Sequence, residues 1–263
     1  MIRETATSLD PGWGELVDID VLESGEWAGL FRMDQRLCIR TPHHCVDVPH
    51  AIDFPLIRWL DPRRVALLGT RAQLGRNNAW VLSFIGGTWT SFFAGDGIQD
   101  VLAANDVIIA TYFDEGVFRG IPPGEEGIAV FSASGELRSG YQSALGREAV
   151  DIADCYAACW ETDSRIAFLP YTGFPLVFWE LASARQTVHT TPSRVHGSSA
   201  ITIVAGGEVL FFGPYHEKQA LIAWAPGRSP AIVGHHPGRL RGLRGGRFLA
   251  HGTAGFTIIE SDG

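Results

Sequence analysis

Ile98-Gln99-Asp100-Val101-Leu102-Ala103 and Val107-Ile108-Ile109-Ala110-Thr111-Tyr112-Phe113, parted by Asn105-Asp106, read as two β-strands joined by a tight hairpin turn. Gly127–Phe131 and Leu137–Ser143 follow, hinged at Ser134-Gly135, and complete a four-run unit. Units of the same kind open at Ile52-Asp53-Phe54-Pro55-Leu56-Ile57, Ile152-Ala153-Asp154-Cys155-Tyr156, Ser199-Ala200-Ile201-Thr202-Ile203 and Arg239-Leu240-Arg241-Gly242-Leu243. They recur every ~40–55 residues, the period of four-stranded propeller blades. The expected fold is therefore an all-β, single-domain propeller over residues 1–263, of five blades with six as the alternative.

The last unit has length for three strands only, Leu240–Arg244, Phe248–His251 and Phe256–Glu260. A propeller must close, so the N-terminal region is expected to donate the missing outer strand, with Leu37–Thr41 as the candidate. Residues 1–25 then form an N-terminal extension. In the alternative they enter a sixth blade built from Leu16–Leu22 and Trp27–Met33.

Composition narrows the class. Hydrophobic residues make up 46% of the chain, enough for a sizeable core, and 8 Trp with 15 Phe suit the packing of blade on blade. A net charge of -8 argues against nucleic acid as a partner, since phosphate contacts need a basic face. Lys218 is the only lysine, so arginine carries the positive charge. No apolar stretch reaches membrane-spanning length, and the start Met1-Ile2-Arg3-Glu4-Thr5-Ala6-Thr7 lacks a signal-peptide core, so no membrane partner is expected. Cys38, Cys45, Cys155 and Cys159 are accordingly expected to be reduced thiols of a cytoplasmic protein. Oligomeric state is not legible.

Blade phase maps the chemistry. The loops entering each first strand and those joining second to third strands share one face. They carry His50, Asp53, Asp96, Asp100, Asp154, Tyr156, His196 and Arg241 in the first class, and Asp114, Glu115, Tyr171 and His216 in the second. The opposite turns, such as Gly206-Gly207 and Gly245-Gly246, are bland. This asymmetry points to a small polar ligand at one end of a central channel. Asp114, Glu115, Asp154 and His196 are the acid–base candidates, and the other eight are ligand-binding candidates. Crowded carboxylates either hold a hard divalent cation, Ca or Mg, through oxygen, or raise one another's pKa. The alternative for each acid is turn capping or the tying of neighbouring blades. The reaction classes open to such a site are hydrolase, isomerase and lyase. A non-catalytic propeller that binds protein or glycan stands as the second reading, with Tyr171 and Phe174 as a stacking wall.

The segments Gly95-Asp96-Gly97-Ile98-Gln99-Asp100-Val101, Tyr112-Phe113-Asp114-Glu115-Gly116-Val117-Phe118, Asp154-Cys155-Tyr156-Ala157 and Tyr171-Thr172-Gly173-Phe174-Pro175-Leu176-Val177 resemble those of an uncharacterised family of bacterial β-propellers. The resemblance implies the fold and marks a site without naming a substrate. Asp96-Gly97-Ile98 is also distantly similar to the Asn-Gly-Ile entry of gluconolactonase-type propellers, whose metal ligands find no residue-by-residue match here. Motifs of other enzyme classes, GxSxG, HExxH, GxGxxG and the P-loop, do not occur.

Overall fold

The computed structural model describes residues 2–253 and 255–261 and contains six four-stranded sheets. β1 (Ile2–Ser8) precedes the first of them. That first sheet holds β2 (Glu15–Val21), β3 (Trp27–Met33), β4 (Arg36–Arg40) and β5 (Cys45–Asp47) in sequence order. The second has β6 (Pro55–Asp61), β7 (Arg64–Gly69), β8 (Ala79–Ser83) and β9 (Thr88–Phe92). The third has β10 (Ile98–Ala104), β11 (Val107–Tyr112), β12 (Ile128–Ser132) and β13 (Leu137–Gly140). β14 (Asp154–Trp160), β15 (Arg165–Tyr171), β16 (Leu176–Glu180) and β17 (Arg185–His189) make the fourth. β18 (Ala200–Ile203), β19 (Val209–Phe212), β20 (Ala220–Trp224) and β21 (Ala231–His235) make the fifth. The last comprises β22 (Arg241–Gly242), β23 (Arg247–Gly252) and β24 (Gly255–Ser261), with β1 beside β24 as its outermost strand.

The blade count is therefore six, which corrects the expectation of five. Residues 1–25 are no extension, since they supply β1 and β2. The strand added to the last sheet is Ile2–Ser8, whereas the expected candidate Leu37–Thr41 lies in the first blade as β4. Both differences have one cause. β1 exposes most of its side chains and β5 is three residues long, so neither carries the apolar run by which a strand is recognised.

Middle strands such as β11 and β15 are buried on both faces along nearly their whole length. Val107-Ile108-Ile109-Ala110-Thr111-Tyr112 and Arg165-Ile166-Ala167-Phe168-Leu169-Pro170-Tyr171 read as near-continuous apolar runs for that reason. Outer strands such as β17 and β21 are mostly exposed. Contacts divide the chain into two compact units. Among the described residues, one holds 8–143, 252–253 and 255, with the first three blades, and the other holds 2–7, 144–251 and 256–261, with the last three.

Within the first unit, one core joins Leu30, Ile39, Ile57 and Leu67, and a second joins Leu68, Val81, Ile108 and Phe131. Within the other, Leu169, Phe178, Ile201 and Phe211 pack together, as do Leu210, Leu221, Phe248 and Ile259. First strands of successive blades also touch, β2 on β6 and β6 on β10, and polar side chains tie them. Buried Arg58 donates to Asp18 and to Asp100, each at 2.6 Å, and to the Val101 carbonyl at 2.8 Å. Burial acts to lower the Arg58 pKa, but the carboxylates of Asp18, Asp100 and Asp20 outweigh it and hold the guanidinium charged. In the other unit a neutral tie does this work, with Thr202 Oγ1 donating to the Leu243 carbonyl at 2.5 Å. Among the described residues no helix is long and apolar enough to cross a membrane.

Candidate functional site

The expected site residues fall into two groups, one in each compact unit. In the first unit the geometry begins with three glycines. A Cβ on Gly97 would lie 2.6 Å from the Cα and N of Gly116, and one on Gly124 would lie 2.6 Å from the Gly116 carbonyl oxygen. Gly97 also has φ +78°, a conformation glycine adopts freely. Three backbones meet here without side chains between them. The short helix α1 (Asp114–Phe118) is thereby held against the segment that enters β10.

This contact gathers a charge network. The Asp96 side chain, 10% exposed, accepts the Ala72 amide at 2.7 Å and Arg71 Nε at 3.1 Å, and it also pairs with Arg119 Nη1. Arg71 reaches onward to Glu115 Oε2 at 2.6 Å and lies 5.6 Å over the Phe113 ring. The Glu115 bond is the main cause that raises the Arg71 pKa. Arg71 and Arg119 remain 35% and 50% exposed. Asp96 thus works as an anchor that orients two guanidiniums.

Both arginines line a cavity of about 420 Å³ together with Asp53, Gln73, Arg76, Asn77, Asn78, Trp80 and Asp96. Asn78 is committed to the fold, donating to the Gly69 and Gly95 carbonyls and accepting from the Ala94 amide. His50 stacks on Trp80 at 4.8 Å, two residues before the lining residue Ile52. Arg71, Arg76 and Arg119 stand in the lining with Asp53 and Asp96, and Glu115, paired to Arg71, brings the charges of the group into balance. The cavity's size is that of small-molecule sites.

Not every expected residue is presented to a ligand. Asp100 accepts from Arg58 and from the Val101 amide, so its carboxylate serves the blade tie. Asp114 is exposed and accepts the Glu115 amide at 2.7 Å. Asp96, Asp100 and Glu115 are each held by arginine, so these carboxylates are engaged within the chain. Among the described residues no three His, Cys, Asp or Glu side chains converge to hold a metal.

In the second unit the structure brings Tyr156, Tyr171 and His196 together around Phe174, with Tyr215 alongside. Ring centroids lie 5.0 Å from Phe174 to Tyr156, 5.6 Å to Tyr171, 5.5 Å to Tyr215 and 5.4 Å to His196. Tyr156 occupies a bulge in β14, the extra residue that re-aims its side chain off the ladder. Its hydroxyl and that of Tyr215 share a hydrogen bond of 2.6 Å. That bond, followed by burial, holds the Tyr156 phenol above its usual range, so it stays protonated. Phe174 sits at φ +50°, unusual for an aromatic residue. Tyr171 and Tyr215 are 42% and 45% exposed above it. Asp154 pairs with Tyr171 in the ladder, and its charge acts on Tyr156. His216 lies by Glu217, whose carboxyl is lowered first by its hydrogen bond to Arg194. Arg241 is half-buried on β22. Cys155 and Cys159 are buried, as their packing role requires, and burial pushes the Cys159 thiol up.

Sequence reasoning missed Arg76 and Arg119 as site residues. Arg119 stands in the loop Arg119–Glu126, which reads as a surface excursion because of its Pro and Gly content.

No family model and no curated protein matches the chain. Solved structures do, across nearly its whole length. A catalytically inactive virginiamycin B lyase from Staphylococcus aureus with quinupristin aligns at TM-score 0.56 and 11% identity, covering 99% of this chain and 100% of that one. A PQQ-bound aldose sugar dehydrogenase from Streptomyces coelicolor gives 0.57 and 11%, covering 99% and 98%. A putative gluconolactonase gives 0.57 and 13%, covering 98% and 92%. At such identity the likeness shows the fold, a β-propeller, and includes the gluconolactonase-type architecture that the sequence resembles.

Proposed function

We propose that this protein is a small-molecule-binding propeller whose ligand is a small polar acid, held by its carboxylate or phosphate in the cavity of the first unit. The observation that carries this reading is the pair Arg71 and Arg119, both fixed on Asp96 and both lining the cavity. Guanidiniums oriented beforehand bind anions with little loss of side-chain freedom, and their planar forks suit carboxylate and phosphate. Gln73, Asn77 and Arg76 add donors for hydroxyl-bearing ligands, and Trp80 gives one apolar wall. Lyases, dehydrogenases and a putative gluconolactonase among the structural neighbours support use of this fold for small-molecule chemistry.

A thermal-shift series tests it: inorganic phosphate and gluconate should raise the melting temperature, and glucose at equal concentration should not. Equal effects of gluconate and glucose, or none from any of them, would remove the reading.

A second reading rests on the aromatic group of the other unit. Exposed Tyr171 and Tyr215, seated on Phe174, offer the stacking surface on which a glycan ring binds. Quenching of tyrosine fluorescence by a soluble oligosaccharide, lost in Tyr171→Ala, is its expected sign.

A further inference from the structure

We propose that Cys38 and Cys45 form a reversible intramolecular dithiol–disulfide pair. Their Sγ atoms lie 3.2 Å apart in the hairpin of β4 and β5. The register sets Cys38 opposite Asp47 and Arg40 opposite Cys45, which puts both thiols on one face as diagonal neighbours. The turn between them is built independently of any S–S bond. Thr41 Oγ1 accepts the His43 and His44 amides at 3.1 and 2.9 Å, and the Thr41 amide donates to the His44 carbonyl at 3.0 Å.

The two thiols are unequal. Cys45 is exposed and Cys38 is half-buried. Burial, followed by the contact with Cys45, pushes the Cys38 thiol up to about 12. Cys45 is therefore the thiol that meets an oxidant, and Cys38 the one that resolves. With a low-molecular-weight disulfide RSSR as oxidant, the Cys45 thiolate attacks one sulfur, forms Cys45–SR and releases the first thiol. Cys38 then gives up its proton and attacks Cys45 Sγ, forming the Cys38–Cys45 bond and releasing the second thiol. Two protein thiols are oxidised, one RSSR is reduced, and the two hydrogens leave on two RSH.

Reversibility follows from the diagonal placement. Diagonal neighbours across a ladder stand farther apart than directly opposite residues, whereas a relaxed disulfide needs Cβ atoms at about 4 Å. Closing the bond must shear β5 against β4, and a strained, exposed disulfide is readily reduced.

The test is oxidation of the full chain with glutathione disulfide, read by intact mass and by a non-reducing peptide map. Expected are a loss of about 2 Da, a linked Cys38–Cys45 peptide, and full recovery with dithiothreitol. Cys38→Ser should stop at a glutathione adduct on Cys45, and Cys45→Ser should leave Cys38 unmodified. A wild-type protein that stops at the adduct, or one in which neither thiol reacts, overturns the proposal. So does stoichiometric zinc that shields both thiols, which would make the pair a metal site.

Discussion

Gly97 lies against Gly116 backbone to backbone, so closely that a methyl group on Gly97 would stand 2.6 Å from two backbone atoms of its partner. This contact explains why the Gly-Asp-Gly-Ile and Asp-Glu-Gly-Val segments belong to one structure. Asp96 flanks Gly97 and Glu115 flanks Gly116, and Arg71 bridges the two acids. Gly97→Ala adds both the steric clash and a strained φ, so a loss of about 2–4 kcal/mol is expected in urea unfolding. A loss below about 0.5 kcal/mol would mean that the two backbones part easily.

Asp96 and Arg119 should separate stability from binding. Asp96→Ala strands the Ala72 amide and two guanidiniums, and should lower stability by roughly 1–3 kcal/mol. Arg119→Leu, at a half-exposed position, should stay within about 1 kcal/mol of wild type. Denaturant melts of the two variants check the contrast, and equal losses would contradict the anchoring role of Asp96.

Arg58 is expected to be among the costliest single positions in the first unit. Arg58→Ala removes the guanidinium from buried Asp18 and half-buried Asp100, a change worth about 3–5 kcal/mol. Neither Ca²⁺ nor Mg²⁺ should alter the melt of wild type or of Asp100→Ala. A wild-type melting temperature that rises with calcium, and does so no longer in Asp100→Ala, would place a cation on that carboxylate.

Tyr112 should give the protein an alkaline limit. It is fully buried, with its hydroxyl donating to the Ala94 carbonyl at 2.5 Å. Burial, then the charge of Glu126, holds its pKa well above the usual phenol value. An unfolded tyrosine loses its proton near pH 10, so this contribution is complete below about pH 10 and is lost as pH rises beyond it. Tyr112→Phe should cost about 1 kcal/mol at neutral pH and flatten the alkaline fall in stability. Parallel pH–stability curves for the two proteins would contradict the assignment.

The sequence showed the repeat because middle strands, buried on both faces, write themselves as apolar runs. β11 stands where the run Val107–Phe113 places it. β1 and β5 were illegible because edge strands face solvent and need few apolar residues, and without them the six-blade count stood only as the alternative to five. At the candidate site, the acids and histidines were legible as residue types at loop positions. Their partners were not. Nothing local in Arg71 or Arg119 says that each meets Asp96, 25 and 23 residues away in the chain. Nor could spacing tell that Asp100 turns to Arg58 in the core while Asp96, four positions earlier, turns to the cavity. The outcome is decided by which side of the β10 entry each carboxylate takes.

Calorimetric titration of gluconate into wild type and Arg119→Leu, at low ionic strength, tests the anion-binding cavity most directly. The expected result is saturable one-site binding to wild type, weakened roughly 10–100-fold in Arg119→Leu, as befits the loss of one charged hydrogen-bonding partner. The same affinity in both proteins would contradict it.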